Sequence, residues 1–269
     1  MQHPSVHLRA GVLCAPSPNS PQSDEIHLKL STSVSSVVNQ TSGVLYGLGV
    51  GPGDPELLTL KAVRLLNECA VVAYPAPEIG TGLAWEIAKP HLSTNPEVLP
   101  LRLPISVDPF PAQEAYDDAA ESLATRLTSG KSVAVLCEGD PLFYGSFMYL
   151  LERLSGSFRI EVVPGVSSPM ACAAVLGRPL VARPDPLTVL PGPLPEAELE
   201  SRLQAPGVFV LMKVGRHFTK LRDLLNRCDL ADDACYVEHA TRPDQRVLPL
   251  DEVDPETVPY FSMILARRA

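Results

Sequence analysis

The 269-residue chain lacks the features that mark several large classes of protein. It has no apolar run as long as a membrane span, which takes about 20 residues. Its formal net charge of −9 argues against general binding of nucleic acid, which requires a basic face. None of its six cysteines forms a Cys-x-x-Cys pair, and Cys69, Cys137 and Cys172 lie within apolar runs. These three are therefore predicted to be buried thiols rather than disulfide partners or zinc ligands.

The residue patterns of nucleophilic and metal-dependent catalysis are missing as well. His217 and His239, in the second half of the chain, do not have the spacing of metal ligands. No Gly-x-Ser-x-Gly elbow occurs, so a Ser-His-Asp triad is not supported. The sequence therefore predicts neither a metal site nor a covalent serine enzyme.

Residues 1–42 differ in composition from the rest of the chain. They are rich in Ser, Pro, Gln, Asn and Thr and show no sustained periodicity. The apolar patch 10–15 lacks the basic n-region of a signal peptide, since Arg9 is the one Lys or Arg before it, and the patch is short for the apolar core of such a peptide. We interpret this segment as a disordered extension, or as the product of a start codon placed too early, and we expect a cytoplasmic protein that does not bind membranes.

A glycine-rich turn follows the first β-compatible run, 44–50. Four glycines at alternate positions surround Pro52, and glycine lets the backbone approach a ligand closely. Asp54 and Thr59 are candidate helix caps, and Pro55 suits a first helical position. A strand, a glycine turn and a helix in this order typically open a small-molecule site in an α/β domain.

The ligand of this turn is not identified by the glycines alone. The dinucleotide fingerprint requires a third glycine where this chain has Pro52 or Asp54, and no Gly-Lys-Ser/Thr completes this turn as a phosphate loop. The Asp54 carboxylate would also repel a phosphate. A cationic ligand, a neutral ligand and a purely structural turn all remain open.

Strand and helix patterns alternate from residue 43 onward and indicate an α/β fold. We predict two α/β domains, 43–164 and 165–269, joined near 164–166. The segment 76–111 is proline-rich, with a short helical pattern near 83–89. The predicted strands are 44–50, 70–74, 132–137, 160–163, 188–190, 208–214, 234–238 and 260–266. The predicted helices are 59–67, 83–89, 112–127, 147–154, 170–176, 195–203 and 216–227.

Three strand-end loops, 47–54, 138–146 and 164–168, are candidates for one shared site, because ligands bind beyond the carboxyl ends of parallel strands. Glu138 and Asp140 suit a cation, an amine or ribose hydroxyls, although Asp140 is equally suited to cap a helix. Ser167 and Ser168 likewise suit either a ligand or a cap.

Six basic residues lie near predicted strand ends, where they suit either a polyanionic substrate or ordinary surface charge. They are Arg178, Arg183, Lys213, Arg216, Arg242 and Arg246.

Taken together, these loops resemble the tetrapyrrole methylase family over residues 43–267. The resemblance is carried by Gly47-Leu-Gly-Val-Gly-Pro-Gly-Asp-Pro-Glu-Leu-Leu-Thr-Leu-Lys61, Cys137-Glu-Gly-Asp-Pro-Leu-Phe-Tyr-Gly-Ser146 and Val163-Pro-Gly-Val-Ser-Ser168. Within the family, these motifs, Val210-Leu-Met-Lys-Val-Gly215 and Glu238-His-Ala-Thr-Arg-Pro-Asp-Gln-Arg246 are similar to the subgroup that methylates precorrin-2 at C20. Enzymes of the sirohaem branch typically carry Gly-Gly-Asp-Pro where this chain has Glu138.

The resemblance implies two αβα domains of the class III methyltransferase type, S-adenosylmethionine in the cleft between them, and usually a homodimer. It implies methylation of precorrin-2 at C20 in cobalamin biosynthesis. Asp54 is a candidate base for this reaction, and a substrate carboxylate or water is the alternative. The implied cofactor contacts are Pro52, Glu138, Gly139, Asp140, Phe143, Ser167, Ser168, Lys213 and Ala240.

Several alternatives to this activity stay open at the level of sequence. They are cobalt-precorrin-2 as substrate, another tetrapyrrole such as uroporphyrinogen III, a binding module that kept the fold, and a nucleotide-dependent dehydrogenase.

Overall fold

A computed structural model describes residues 42–103 and 109–268 of the chain. The predicted extension 1–42 lies outside these residues, apart from Ser42. No helix in the described segments is long and apolar enough to cross a membrane.

The first half of the chain forms a five-stranded sheet in which all paired strands are parallel. The strands are β1 (Val44–Gly49), β2 (Val71–Ala76), β3 (Glu97–Arg102), β4 (Val133–Cys137) and β5 (Arg159–Val163). Their order is β3-β2-β4-β1-β5. All five residues of the central strand β4 are buried, as expected where helices cover both faces of a parallel sheet.

Helices cover both faces of the first sheet and place a crevice at its centre. Helices α1 (Leu60–Glu68) and α2 (Leu83–Ala88) pack on one face, and α3 (Pro109–Thr128) and α4 (Phe147–Leu154) pack on the other. The neighbouring strands β1 and β4 therefore lead into helices on opposite faces. Such a switch point opens a crevice beyond the carboxyl ends of the two strands.

The second half forms a five-stranded sheet of mixed direction. Its strands are β6 (Leu187–Pro191), β7 (Gly207–Met212), β8 (Cys235–Glu238), β9 (Arg246–Pro249) and β10 (Ser262–Arg268), in the order β6-β7-β10-β8-β9. Strands β6 and β7 are parallel, whereas β10 is antiparallel to both β7 and β8. The carboxyl ends of β6, β7 and β8 and the amino end of β10 consequently lie at one edge.

Helices also cover both faces of the second sheet. Helices α6 (Glu196–Leu203) and α7 (Phe218–Arg227) pack on one face, and α5 (Ser168–Leu176) packs on the other. Gly177, with φ of +62°, ends α5 as a left-handed cap. Two helix-covered sheets confirm the predicted α/β class, while the domain boundaries at 164 and 165 stay a prediction.

The predicted elements are confirmed with small shifts at their ends, but two edge strands were missed. No strand was predicted in the proline-rich segment 76–111, which contains β3 with Pro100. Proline is tolerated there because β3 is an edge strand. Strand β9 was also missed, since it is a short, mostly exposed edge strand without an apolar run.

The predicted caps and buried thiols are confirmed. Asp54 Oδ1 accepts a hydrogen bond from Glu56 N at 2.8 Å, and Thr59 Oγ1 accepts one from Ala62 N at 3.1 Å at the start of α1. Cys69, Cys137 and Cys172 are free and buried. Burial raises the pKa of Cys69 and of Cys172 to about 12, so both thiols stay protonated and unreactive near neutral pH.

Candidate functional site

Three glycine-bearing loops cross at the carboxyl edge of the first sheet. Gly51 and Gly139 exchange backbone hydrogen bonds, with N···O distances of 3.3 Å and 2.8 Å. A Cβ added to Gly165 would lie 2.1 Å from Gly139 O and 2.8 Å from Gly49 Cα. Only glycine permits this approach, so the loops after β1, β4 and β5 lie together, where their strand ends predicted them.

Asp140 fixes the crossing of these loops. Its Oδ2 accepts a hydrogen bond from Gly165 N at 3.0 Å, and its Oδ1 accepts one from Leu142 N at 2.9 Å. The carboxylate therefore ties the loop after β4 to the loop after β5, and it does not cap α4, which begins at Phe147.

Glu138 is half-buried at the same edge, directly after β4. Its Oε1 accepts a hydrogen bond from Ala84 N, in the first turn of α2, at 3.2 Å. Burial raises the pKa of the carboxyl, because desolvation penalises the charged form, although the backbone hydrogen bonds oppose that rise. This places an unpaired carboxyl of elevated pKa beside the crevice.

Ser167 and Ser168 lie where α5 begins, at the same crossing. Ser167 has the extended backbone of an N-cap, but its side chain makes no capping hydrogen bond. The capping role that the sequence left open for Ser167 is therefore not observed, and its hydroxyl is available to another partner.

The second sheet contributes the facing loops at its edge. Asp54 N donates to Thr241 Oγ1 at 3.0 Å, and a Cβ added to Gly53 would lie 3.0 Å from Ala240 O. These contacts hold the loop after β8 against the glycine turn after β1. Ala240 thus lies against the first of the three loops. Asp54 belongs to that loop, and its side chain caps the short helical turn Pro55–Leu57.

Residues in the left-handed region cluster at this edge. Tyr144, Lys213, His239 and Thr241 have φ of +56°, +55°, +50° and +69°. Such conformations cost of order 1–3 kcal/mol each for non-glycine residues and concentrate at functional sites. Lys213 follows β7, is exposed, and holds its Nζ 5.6 Å from the ring centroid of Tyr144.

Two further predicted cofactor contacts, Pro52 and Phe143, are apolar residues whose surroundings do not by themselves indicate a role. Pro52 is half-buried between two glycines of the turn. The Phe143 ring packs edge-on to Tyr144, with centroids 5.2 Å apart. Both lie on loops of the crossing, so the structure brings them to the same edge as Glu138.

Sequence reasoning missed Tyr260, which lies directly before β10 at the same edge. Its side chain is 56% exposed and its ring packs edge-on to Phe261 at 5.1 Å. Burial and then the charge of Glu138 raise the pKa of Tyr260. Adjacent aromatic residues at a strand start were the available signal.

Metal ligands are not grouped in the part of the chain that the structure describes: it contains no cluster of three His, Cys, Asp or Glu side chains. The edge instead offers glycine backbone, carbonyl groups, hydroxyls and aromatic rings around one half-buried carboxyl. Such a site suits an organic ligand that is held by shape and by hydrogen bonds.

Comparison with known proteins places this geometry in one family. A family model described as tetrapyrrole (corrin/porphyrin) methylases matches residues 44–254. The cobalamin biosynthesis protein CobIJ of Mycobacterium tuberculosis is 43% identical over 231 residues, which are 83% of this chain and 46% of that protein. The chain therefore spans about half the length of that relative.

Two shorter relatives are matched over nearly their whole length. The precorrin-2 C(20)-methyltransferase of a Sinorhizobium species is 41% identical over 83% of this chain and 94% of its own. The cobalt-precorrin-2 C(20)-methyltransferase of Salmonella typhimurium is 34% identical over 84% and 97%, respectively.

Solved structures share the arrangement of the two sheets. A cobalt precorrin-4 methyltransferase aligns with a TM-score of 0.65 and 26% identity over 83% of this chain and 94% of its own. A uroporphyrin-III C-methyl transferase from Thermus thermophilus, complexed with S-adenosyl homocysteine, aligns with a TM-score of 0.61 and 27% identity over 84% and 92%. Sequence motifs, fold and relatives agree: the chain belongs to the tetrapyrrole (corrin/porphyrin) methylases.

Proposed function

We propose that this chain transfers a methyl group from S-adenosylmethionine to C20 of precorrin-2, a step of corrin ring synthesis. The observation that carries the proposal is the 41% identity to the Sinorhizobium precorrin-2 C(20)-methyltransferase over 94% of that protein. The 34% identity to the Salmonella enzyme for cobalt-precorrin-2 supports the cobalt-loaded ring as the second candidate substrate.

The residues at the crossing of the loops fit the proposed cofactor. Gly139, with φ of +64°, has open space beside its Cα, since an added Cβ would meet nothing nearer than Val166 O at 3.8 Å. The Ser167 hydroxyl makes no capping bond, and the amino end of α5 favours a carboxylate. We propose that the cofactor is surrounded by Pro52, Glu138, Gly139, Asp140, Phe143, Ser167, Ser168, Lys213 and Ala240.

The protein's contribution to this reaction is alignment of donor and acceptor. When bound, S-adenosylmethionine would supply a methyl group attached to a positively charged sulfur. An electron-rich ring carbon can attack that methyl group, and the sulfur is then the leaving group. Asp140 and the packed glycines hold the loops in one geometry, and such positioning is worth several kcal/mol, up to about 7–11, in well-oriented reactions. Glu138 and the neighbouring carbonyls favour the positive charge before transfer.

A proton must leave C20 after the methyl group arrives, and Asp54 is our proposed acceptor for it. One oxygen of its carboxylate accepts the hydrogen bond from Glu56 N at 2.8 Å. The other has no hydrogen-bonding partner among the residues that the structure describes. A substrate carboxylate or a water molecule is the alternative proton acceptor.

Incubation of the purified chain with ¹³C-methyl S-adenosylmethionine and enzymatically prepared precorrin-2 tests the proposal. One labelled methyl group at C20 is the expected NMR result, and parallel reactions with cobalt-precorrin-2 decide which ring is preferred. Methylation of uroporphyrinogen III instead would move the chain to another activity of the family. Cofactor binding without turnover on any of the three rings would contradict an enzymatic role.

From the family resemblance we also propose that the chain consists of domains 43–164 and 165–269, forms a homodimer and is cytoplasmic. Sedimentation velocity of the purified chain measures the oligomeric state. The packing of α5 on the second sheet supports a boundary before residue 168.

A further inference from the structure

Lys213 and Tyr144 meet across the edge where the two sheets face each other. The Lys213 ammonium lies 5.6 Å from the centroid of the Tyr144 ring, and both residues have left-handed backbone, with φ of +55° and +56°. Lys213 belongs to the loop after β7 and Tyr144 to the loop after β4. Each half of the molecule thus strains its backbone to present one partner of this pair.

Lys213 differs from most of the six basic residues near strand ends in having no polar partner. Arg242 pairs with Asp244 at 3.0 Å, Arg246 with Glu238 at 2.9 Å, and Arg178 lies 3.9 Å from Asp233. Arg183 precedes β6 and lies at the opposite edge of the sheet. In contrast, the Lys213 ammonium has neither a carboxylate nor a carbonyl acceptor within the described part of the chain.

Arg216 also lies at this edge, and its Nε donates to His217 Nε2 at 3.3 Å. Lys213 differs from Arg216 and Arg242 in having no polar contact among the described residues. On binding an anionic partner, its ammonium gives up only its place over an aromatic ring. Such a cation–π contact at an exposed site is weaker than a charge-assisted hydrogen bond.

We propose that the Lys213 ammonium binds a carboxylate side chain of the tetrapyrrole acceptor, with the Tyr144 ring as its partner when the acceptor is absent. The inference rests on the proposed function, which supplies an acceptor that carries several carboxylates. It assigns the side chain of Lys213 to the acceptor, whereas its backbone belongs to the proposed cofactor site. The chain keeps a lysine at a strained position because the ammonium contributes to choosing the acceptor.

The test measures binding rather than turnover, with uroporphyrin III as a fluorescent carboxylate-rich ring and S-adenosylhomocysteine as the cofactor probe. Lys213→Met keeps the length and the backbone strain but removes the charge. We expect it to weaken uroporphyrin binding roughly tenfold, to reduce the salt dependence of that binding, and to leave the affinity for S-adenosylhomocysteine unchanged. Lys89→Met is the matched control, since Lys89 is an exposed lysine at the end of α2 without a polar side-chain partner among the described residues.

A second variant separates binding from folding. Lys213→Gly relieves the positive φ, so we expect a raised Tm together with weakened uroporphyrin binding. A structural role for Lys213 would instead lower both. Unchanged uroporphyrin binding in Lys213→Met, an equal loss in Lys89→Met, or an equal loss of S-adenosylhomocysteine affinity would each overturn the inference.

Failure of this inference and failure of the proposed function give different results. If the native chain methylates precorrin-2 but Lys213→Met binds uroporphyrin normally, only the role of Lys213 is wrong. If the native chain binds uroporphyrin through Lys213 yet methylates no precorrin, the proposed reaction is wrong and the acceptor contact stands.

Discussion

The two sheets bring loops to the shared edge by opposite means. The first sheet uses glycines whose backbones touch: a Cβ on Gly165 would lie 2.1 Å from Gly139 O, and one on Gly49 would lie 2.5 Å from Gly165 N. The second sheet uses side-chain-bearing residues in the left-handed region, namely Lys213, His239 and Thr241. The first half gains close approach mainly by omitting side chains, whereas the second half mainly keeps side chains on strained backbone. Tyr144 is the strained residue that the first half contributes to this edge.

This difference indicates that the glycines set the geometry of the site, whereas the strained residues contribute side chains to it. The glycine crossing leaves no room for a methyl group on Gly49 or Gly165, so its packing determines the positions of Glu138, Asp140 and Ser167. The strained residues of the second half cost stability, of order 1–3 kcal/mol each, and persist only where the surrounding structure enforces them. Substitution should therefore destabilise the first half and, where strain is relieved, stabilise the second.

The largest effect is expected for Gly165→Ala. The added methyl group would overlap the Gly139 carbonyl and the Gly49 Cα, both of which are backbone atoms that cannot rotate away. We expect a loss of about 3 kcal/mol in the free energy of unfolding, the upper end of the range for overpacking. Urea unfolding followed by circular dichroism measures the loss.

Gly156→Ala is the control for this substitution. Gly156 lies after α4, and an added Cβ would meet no atom within 4 Å. Its free energy of unfolding should stay within about 0.5 kcal/mol of the native value, as for other surface substitutions. Equal stabilities of the two alanine variants would show that the crossing can open, and the proposed framework role would be wrong.

A smaller effect is expected at Thr241, where the two halves are hydrogen-bonded. Thr241→Val keeps the shape and the strain but removes the acceptor of the Asp54 N–H, and we expect a loss of about 1–2 kcal/mol. Thr241→Ser keeps the hydroxyl and removes the β-branch at φ of +69°, so its stability should equal or exceed the native value. A serine variant as unstable as the valine variant would refute the assignment of strain to this residue.

Much of the first sheet was predictable because local signals and tertiary structure agree there. A buried apolar run, alternate glycines and two capping side chains predicted β1 and α1 almost to the residue. Strand β3 escaped prediction because Pro100 is a strand breaker in general and is tolerated only on an edge. Whether a strand lies on an edge is a property of the whole sheet, which local sequence does not record.

The second sheet, and the residues that it contributes to the site, were less predictable because they too depend on how the whole sheet is assembled. The alternation of strands and helices predicted the α/β class but not the direction of the strands, and β10 enters between β7 and β8 in the antiparallel direction. That insertion brings Tyr260, 22 residues beyond Glu238, to the same edge as Glu138, whose charge contributes to the raised pKa of Tyr260. Sequence motifs predicted the loops after β4 and β5. Tyr260 reaches the site through the direction of β10, and its one sequence signal was the adjacent aromatic residue Phe261.

The smallest effect is expected for Glu138→Gln, which tests how the two halves meet. Burial raises the pKa of Glu138, so ionisation of this carboxyl costs more in the folded chain than in the unfolded chain. Native stability should consequently fall as the pH rises from the ordinary carboxyl pKa of about 4.3 through the raised folded value. The glutamine keeps the volume and an acceptor for Ala84 N but cannot ionise.

The native chain and Glu138→Gln should therefore have equal Tm below that pH window, and the variant should be slightly more stable at neutral pH. Glu152→Gln, at an exposed position of α4, is the control and should show no such divergence. Because the charge of Glu138 contributes to the raised pKa of Tyr260, the tyrosinate absorbance of Tyr260 should also appear at lower pH in the variant. A divergence in Tm without a shift in the Tyr260 titration would mean that Glu138 is desolvated by the first half alone. A shift in both would show that the second half closes over a carboxyl that the glycine crossing holds in place.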